Sequence, residues 1–342
     1  MNCRLRAWRR QAGIRESALM GAVLNGQDVL SWISRHANPL TAVEPDASLG
    51  DLRPLRPMVR DAAVVGLGES THGAHEQFTL KHRVVRFLVE RMGFRTVALE
   101  EDWTKGLHID AYLRTGTGDP RTLLADAGTP WRTAEIAELI RWMRSHNAAH
   151  PADPLRFIGV DVIKVRRSAY DAVADHITRV APDLLDELDR HYDVIKPPAD
   201  IDAYVRWLVR EPDRQPFLDH ARQADDLVRT LPVADGHDLA LHHSRAIVGF
   251  YEYYLRGEVA VRDRYMAENV IWWREHVGGR SVFWAANVHT ADGRPLEISY
   301  PPFPPAVHHT AGAFLRDHLG SGYRAIGGTF HRGSVNAGFA PP

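Results

Sequence analysis

The block from Ala62 to Trp103 constrains the fold more than any other part of the chain. Its first apolar run, Ala62–Leu67, lacks polar alternation, which is typical of a parallel strand buried on both faces. A polar turn with Glu69 and His72 follows, and then an amphipathic stretch and a second apolar run, Thr96–Leu99. This order of strand, turn, helix and strand predicts an α/β fold with a central, mainly parallel sheet flanked by helices.

The same alternation continues along the chain. Apolar spacing predicts helices over Val29–His36, Glu76–Met92, Lys105–Arg114, Arg132–Ala149 and Ala311–Leu319, and strands over Leu155–Val160, Ser281–Ala286 and Tyr323–Ile326. We expect an N-terminal extension over 1–28, flexible in character, and an α/β core over 29–164 and 277–342. The stretch 165–276 has no comparable strand, which predicts a large helical insertion that caps the active-site cleft. A proline-rich loop is expected over 300–305.

Charge and cysteine content exclude several classes of protein. The formal net charge is −1, so no global field attracts nucleic acid or an anionic membrane. Cys3 is the single cysteine, which rules out an internal disulfide and fits a reducing, cytoplasmic compartment. The basic start does not resemble a secretory signal, and a native start near Met20 is an alternative. No run of about 20 apolar residues predicts a membrane span, and the oligomeric state is left open.

Polar residues follow each of the first four predicted strands. They are Glu69 and His72, Glu100 and Asp102, Asp161, and then Asn287 and His289. Carboxyl ends of parallel strands share one edge of a sheet, where ligands bind. A lone aspartate after a strand commonly caps the next helix instead. Four such strand ends together predict a cleft lined by two histidines and several carboxylates, which is a setting for acid-base chemistry.

Three chemistries compete for this cleft. His72 can act as a general base for water, oriented by Glu69 or Glu100, because the pKa of imidazole lies near neutrality. Gly68-Glu69-Ser70-Thr71-His72 nearly matches the nucleophile elbow G-x-S-x-G, but His72 occupies the second glycine position and obstructs the turn. His72, His75 and Glu76 offer metal-ligating atoms in the order H-x-x-H-E, which matches no standard zinc signature. We expect neither a metal nor a cofactor.

Several blocks together are similar to a known family. The block GLGESTHGAHEQFTLKHRVVRFLVERMGF, followed by ALEEDW, resembles the opening block of the erythromycin esterase-like family of macrolide esterases and succinoglycan biosynthesis-like proteins. Later blocks agree in order: RFIGVDV (156–162), RDRYMAENVIWW (262–273) and FWAANVHT (283–290). The resemblance extends from about Val29 to Gly328.

The resemblance implies an α/β fold, a helical part over a cleft, and ester hydrolysis by histidine general-base catalysis without a covalent serine intermediate. Carried onto matching positions, it makes His72 the base, Glu69 its acidic neighbour and Glu100 the carboxylate after the second strand. It places His289 at the second histidine of an H-N-x-H block. We expect substrate contacts from Lys81, Asp102, Asp161 and Asn287, with Lys81 and His289 stabilising the oxyanion or orienting the substrate carbonyl.

Two positions depart from the family pattern. The first histidine of the H-N-x-H block is a functional residue in the macrolide esterases, and here Ala286 replaces it. Lys81 stands where the family often has arginine, and it lacks the planar bidentate fork of a guanidinium. The chain also ends at Pro342, earlier than the antibiotic esterases, so we expect part of the C-terminal cleft wall to be missing.

Three functions follow from these residues. The first is a hydrolase that cleaves an ester or lactone of a bulky small molecule such as a macrolide, polyketide, peptide or acyl-sugar. The second is a natural-product tailoring enzyme that uses the same cleft for elimination, cyclisation or group transfer. The third is a catalytically degenerate member that binds a ligand, because Ala286 breaks one motif. The sequence names no substrate, and antibiotic resistance and biosynthesis are both compatible contexts.

Overall fold

The computed structural model describes residues 26–298 and 306–334. Seven strands lie in these ranges: β1 (Val64–Glu69), β2 (Phe94–Asp102), β3 (Arg156–Asp161), β4 (Arg280–Ala286), β5 (Leu296–Ile298), β6 (Ala306–His308) and β7 (Tyr323–Ile326). Five of them form one sheet in the order β3-β2-β4-β1-β7, and β5 pairs with β6 in a separate antiparallel ribbon.

Helices occupy most of the described residues outside these strands. They are α1 (Gly26–His36), α2 (Leu55–Val59), α3 (His75–Met92), α4 (Trp103–Thr115), α5 (Pro120–Leu124), α6 (Ala134–Ala149), α7 (Arg167–Val180), α8 (Leu185–Ile195), α9 (Ile201–Leu208), α10 (Gln215–Arg229), α11 (His237–Arg256), α12 (Val259–His276), α13 (Asn287–Thr290) and α14 (Ala311–Leu319). Helix α1 belongs to a unit of its own, residues 1–41, and all the other elements belong to the unit over 42–342.

All neighbouring strands of the five-stranded sheet are parallel. Strand β4 lies between β1 and β2, although it follows them by more than 170 residues in the chain. The carboxyl ends of β1, β4 and β2 are therefore adjacent at one edge of the sheet. Any polar side chains at these three ends are brought within reach of one another.

Strands β1 to β4 bury both of their faces. Val64, Ala98 and Phe283 pack with the helices on one face of the sheet, while Val65 and Leu99 pack with the helices on the other. Alternate residues of a strand point to opposite faces, so a strand between two helical layers must be apolar along its whole length. The uninterrupted apolar runs in the sequence have this cause.

Two glycines allow a helix to lie directly against the sheet. A Cβ atom on Gly159 in β3 would come within 1.9 Å of the Asp102 carbonyl oxygen, and one on Gly106 in α4 would come within 1.7 Å of the Gly159 nitrogen. Helix α4 therefore packs against the β3 backbone at a distance that no larger residue permits. This contact fixes the start of α4, and with it the polar end of β2.

The α/β fold class predicted from the sequence is confirmed. The predicted helix over Val29–His36 begins three residues earlier, at Gly26, and the segment 167–276 contains helices α7–α12 and no strand. The ribbon of β5 and β6 was not predicted. Residues 1–25 of the expected extension, and the proline-rich loop over 300–305, lie outside the described residues. Among the helices of the described ranges, none has the length and apolarity to cross a membrane.

Candidate active site

Glu69 and His72 form a hydrogen-bonded pair at the end of β1. Glu69 is the last residue of the strand and is 1% exposed, and His72 lies in the turn before α3. The Nδ1 atom of His72 lies 2.9 Å from Oε1 of Glu69. An ionised carboxylate only accepts hydrogen bonds, so in this pair Nδ1 carries the proton. In the neutral imidazole, the lone pair is then on Nε2.

Lys81 lies behind this pair. Its ammonium donates to Oε2 of Glu69, the oxygen that His72 does not use, and it lies 4.5 Å from the centre of the Trp284 ring. Lys81 is buried, and it reaches Glu69 from the second turn of α3. Burial lowers the pKa of Lys81 well below its usual value, and the charge of Glu100 opposes that effect. The contact with Glu69 favours a role in positioning the carboxylate over direct contact with a substrate.

The environment of His72 favours the neutral imidazole. Its side chain is 33% exposed, and the ring of Trp131 packs edge-on against it with 5.0 Å between centres. Burial lowers the pKa of His72 from its usual value near 6.5. Glu100 opposes this shift, whereas His289 and Arg262 add to it. The free base is therefore the main form at neutral pH.

Glu101 holds the segment that carries Trp131. One carboxylate oxygen of Glu101 accepts the Asp102 backbone N–H at 2.9 Å, and the other accepts the Gly128 N–H at 2.5 Å. Burial and the neighbouring Asp102 raise the pKa of Glu101 to about 8, against the opposing effect of these backbone donors. Through these two backbone contacts, the carboxyl group anchors one wall of the cleft.

Glu100 is the centre of a second cluster at the end of β2. Its Oε2 atom accepts the Ala286 backbone N–H at 2.9 Å, and its Oε1 atom accepts from Nη2 of Arg262 at 2.8 Å. The Nε2 atoms of His289 and His72 lie 3.3 Å and 4.0 Å from the same Oε1. Burial opposes ionisation of Glu100, but His289, Arg262 and His72 outweigh it and hold its pKa well below the usual range.

His289 is a buried imidazolium. Its Nδ1 atom lies 2.6 Å from Oδ1 of Asp263, whose other oxygen accepts the Ala311 backbone N–H at 3.0 Å. Burial disfavours the charge, but Glu100 and Asp263 outweigh it and raise the pKa of His289 to about 9. Nε2–H therefore donates to Glu100, and the Arg262 guanidinium 3.3 Å away is a neighbouring charge that cannot accept it.

A glycine in β1 allows α13 to carry His289 into this position. A Cβ atom on Gly68 would come within 2.2 Å of Oδ1 of Asn287 and 2.6 Å of Oγ1 of Thr290. Because Gly68 has no side chain, α13 lies directly against the strand. Asn287 itself spans to the chain after β7, since its amide donates to the Gly328 carbonyl at 2.7 Å and accepts the Gly328 N–H at 3.1 Å.

Arg262 links Asp161 to Glu100. Its Nε atom lies 3.0 Å from each carboxylate oxygen of Asp161, and its Nη2 atom also donates to both Asp161 and Glu100. Burial alone would lower the pKa of Arg262, but Asp161 and Glu100 raise it well above its usual value. Asp161 also accepts the Val162 N–H at 2.7 Å. A network of ion pairs therefore connects the ends of β3 and β2.

The arrangement places a neutral imidazole next to an ionised carboxylate and the two positive charges of Arg262 and His289. That combination can remove a proton from water and stabilise negative charge that develops nearby. Within residues 26–298 and 306–334, no group of three or more histidine, cysteine, aspartate or glutamate side chains has a geometry that would hold a metal ion.

Comparison with known proteins identifies this architecture. The family model for erythromycin esterase matches residues 89–340. The chain belongs to the erythromycin esterase family. The matched region starts inside α3 and contains Glu100, Asp161, Arg262 and His289.

A curated relative and two solved structures agree with this match. An erythromycin esterase type II of Escherichia coli is 23% identical over 334 residues, which cover 90% of this chain and 78% of the relative. The crystal structure of a succinoglycan biosynthesis protein is 31% identical, with a TM-score of 0.74 over 88% of this chain and 74% of that one. An erythromycin esterase mutant in an open conformation has a TM-score of 0.66 at 19% identity over 83% and 74% of the two chains, and shares the fold.

The structure brings five of the residues predicted from the sequence into one cluster: Glu69, His72, Glu100, Asp161 and His289. Two others have structural partners. Asp102 caps α4 by accepting the Lys105 N–H at 2.6 Å, and its second oxygen accepts from Arg166 at 2.9 Å. The amide of Asn287 forms two hydrogen bonds with the Gly328 backbone. These contacts explain both residues without a substrate.

The structure also shows the contacts of the residues in the two competing interpretations of the turn, the serine nucleophile and the metal-ligand set. The hydroxyl of Ser70 accepts from the Gln77 amide nitrogen at 2.9 Å and donates to the Gln77 amide oxygen at 3.3 Å. His72 is paired with Glu69 instead. Ser70 and His72 are not joined as nucleophile and base. His75 is exposed and lies 2.7 Å from Glu135, so it points away from the metal-ligand set proposed with His72 and Glu76.

Sequence reasoning missed Arg262, Asp263 and Trp131. Arg262 and Asp263 open the block RDRYMAENVIWW on α12, but their partners are 101 and 26 residues away in sequence. The one local signal is a pair of opposite charges near the start of a helix that also carries several buried apolar residues. Trp131 lies in a 3₁₀ turn between α5 and α6, where no periodic pattern marks it.

Proposed function

We propose that this chain hydrolyses an ester or lactone of a bulky small molecule, with His72 as the general base for water. The observation that carries the proposal is the contact between Nδ1 of His72 and Glu69 at 2.9 Å. It fixes the tautomer whose Nε2 lone pair is free to accept a proton. The lowered pKa of His72 keeps that lone pair available at neutral pH.

The reaction begins with a water molecule next to Nε2 of His72. His72 takes one proton from the water, and the water oxygen forms a bond to the substrate carbonyl carbon. Glu69 stabilises the imidazolium that forms, and Lys81 holds Glu69 in place through its second oxygen. Glu100 accepts a hydrogen bond from the O–H that the water keeps, a role that requires Glu100 to be ionised at neutral pH, as its lowered pKa implies.

Negative charge then develops on the carbonyl oxygen. The guanidinium of Arg262 and the imidazolium of His289 lie beside Glu100 and stabilise this charge. When the intermediate collapses, the bond from carbon to the alcohol oxygen breaks. His72 returns its proton to the departing oxygen, so the products are a carboxylic acid and an alcohol, and the enzyme is unchanged.

The substrate class rests on the family and on the opening of the site. The E. coli relative is an erythromycin esterase, and this supports an ester or lactone as the bond that is cleaved. His72 is one-third exposed beside a tryptophan, an arrangement that admits a large molecule with apolar parts. A cytoplasmic location remains part of this proposal, on the evidence of the single cysteine.

A second candidate is transfer of an acyl group to an alcohol. The 31% identical structural relative is a succinoglycan biosynthesis protein, which supports a role in biosynthesis for some members of this fold. In that reaction, a hydroxyl group replaces water beside His72 and the other steps are the same. An ester product instead of an acid distinguishes the two.

The proposal is tested with a panel of macrolactones, acyl-sugars and simple esters in water enriched in ¹⁸O. Under single-turnover conditions, attack by water predicts one ¹⁸O atom in the acid product. The protein should show no added mass after an acid quench. An unlabelled acid product would mean that a carboxylate is the nucleophile, and an acyl group on Ser70 would mean a serine mechanism. Either result would overturn the role of His72 as base for water.

A further inference from the structure

A pocket at the C-terminal end of α3 is lined by arginines. Its volume is about 680 Å³. The residues around it are Ser48, Leu49, Gly50, Arg53, Arg56, Phe87, Glu90 and Arg91. We refer to this set as the arginine pocket. Its volume is in the range of small-molecule sites in proteins.

Among the described residues, the guanidinium groups of the arginine pocket have no hydrogen-bonding partner. Arg53, Arg56 and Arg91 are exposed, and within the described ranges no carboxylate or carbonyl group accepts a hydrogen bond from their side chains. The one carboxylate of the pocket, Glu90, is paired with Arg86 at 3.1 Å. Three positive charges therefore surround one concave space and remain uncompensated.

Two arginines of α3 hold the loop that forms one wall of the pocket. Arg83 is fully buried in α3 and donates to the Ala42 carbonyl at 2.5 Å and to Asp51 at 3.2 Å. It also donates to the Ser48 carbonyl, and Arg86 donates to the Pro45 carbonyl. A buried guanidinium that satisfies several loop carbonyls fixes the loop conformation. The pocket is thus preformed, which reduces the entropy lost when a ligand binds.

The arginine pocket is separate from the cleft at His72. Lys81, which supports Glu69, and Arg91 lie on the same helix, ten residues apart. At 1.5 Å per residue, this corresponds to about 15 Å along the helix axis. His75 begins the helix at the carboxyl edge of the sheet, and Arg91 lies in its last turn.

We propose that the arginine pocket binds a small molecule that carries two or more phosphate groups. Guanidinium groups bind phosphate through paired, charge-assisted hydrogen bonds, and the planar fork of arginine matches that geometry. Three guanidiniums around about 680 Å³ provide more positive charge and more space than one phosphate requires. A concave site favours a small molecule over the flat surface of an anionic membrane.

Isothermal titration calorimetry of the full chain with pyrophosphate tests this proposal. We expect a Kd of about 0.1 mM or tighter at an ionic strength near 0.15 M. Inorganic phosphate should bind at least about tenfold more weakly, because it engages fewer guanidiniums. Arg53→Gln, Arg56→Gln and Arg91→Gln should each weaken pyrophosphate binding by about tenfold or more.

Arg60→Gln is the matched control, because Arg60 is exposed close to α2 but does not line the pocket. It should bind pyrophosphate like the wild type. Unchanged thermal unfolding midpoints would show that all four variants fold. The proposal is overturned if pyrophosphate gives no binding heat, if the three pocket variants bind like the wild type, or if Arg60→Gln weakens binding equally. Binding to vesicles of phosphatidylglycerol but not to pyrophosphate would also overturn it.

Discussion

His72 and His289 approach the same carboxylate oxygen of Glu100, yet His72 is neutral and His289 is a cation. His72 lies 4.0 Å from this oxygen with 33% of its side chain exposed, and the pKa of its imidazole is lowered. His289 lies 3.3 Å from the oxygen with 6% of its side chain exposed, and its pKa is raised to about 9. The more deeply buried histidine is the charged one, contrary to what burial alone would produce.

The difference shows that close and available carboxylates outweigh burial in setting the charge of these histidines. His289 has Asp263 on one nitrogen and Glu100 on the other, so its charge is compensated from both sides. His72 has Glu69 on one nitrogen, but the second oxygen of Glu69 is already engaged by Lys81, and Glu100 lies farther away, 4.0 Å from its other nitrogen. One histidine is therefore suited to accept a proton and the other to keep one.

The sharpest test of this division removes the proposed base. His72→Ala should lower kcat by about 10² to 10⁴-fold, the usual contribution of a general base, in a steady-state assay with an ester substrate. His75→Ala is the matched control, since His75 is exposed and paired with Glu135, and it should retain nearly full activity. Ser70→Ala should also remain active. Full activity in His72→Ala would show that His72 is not the base.

Lys81 tests whether Glu69 depends on a buried partner. Lys81→Met should destabilise the protein by about 3–5 kcal/mol in urea unfolding, because it leaves a buried carboxylate without its cation. Lys196→Met is the control, since Lys196 pairs with Asp171 at 2.6 Å near the surface and should cost at most about 1 kcal/mol. Equal costs for the two variants would show that the pair of Lys81 with Glu69 behaves like a surface ion pair.

The charge of His289 predicts a pH-dependent stability. A folded pKa of about 9 against about 6.5 unfolded stabilises the folded protein by about 3 kcal/mol below pH 6.5. This contribution is lost as the pH rises to about 9. The unfolding free energy should therefore decrease more between pH 6 and pH 9.5 in the wild type than in His289→Gln. The same fall in both proteins would contradict a protonated His289.

The smallest expected effect concerns Trp131, which shields His72 from water. Trp131→Leu should raise the pKa of His72 toward 6.5, because desolvation is the largest cause of its lowered value. The acid limb of the kcat/KM profile should shift to higher pH, while kcat at pH 8 changes little. Leu124→Ala, which changes a buried residue of α5, controls for general loosening of this region. An unmoved acid limb would show that Trp131 does not set the pKa of His72.

A large part of the fold was predictable from the sequence because its signals are local. The apolar runs of β1–β4 and β7 and the helical spacing of α3, α6 and α14 are properties of short windows. The ribbon of β5 and β6 was missed because each strand has only three residues. The site was predictable where residues end a parallel strand, as Glu69 and Glu100 do. Arg262 and Asp263 were missed because they reach the site from a helix.

The sequence by itself determined the order of strands and helices and the polar residues that end the strands. It also determined that His72 follows Glu69 closely enough to bond with it. Only the tertiary structure decided the charges, because a pKa depends on groups that the fold brings together from distant parts of the chain. Asp263 and Glu100 come to His289 from 26 and 189 residues away, and they make it a cation, whereas His72 remains a base.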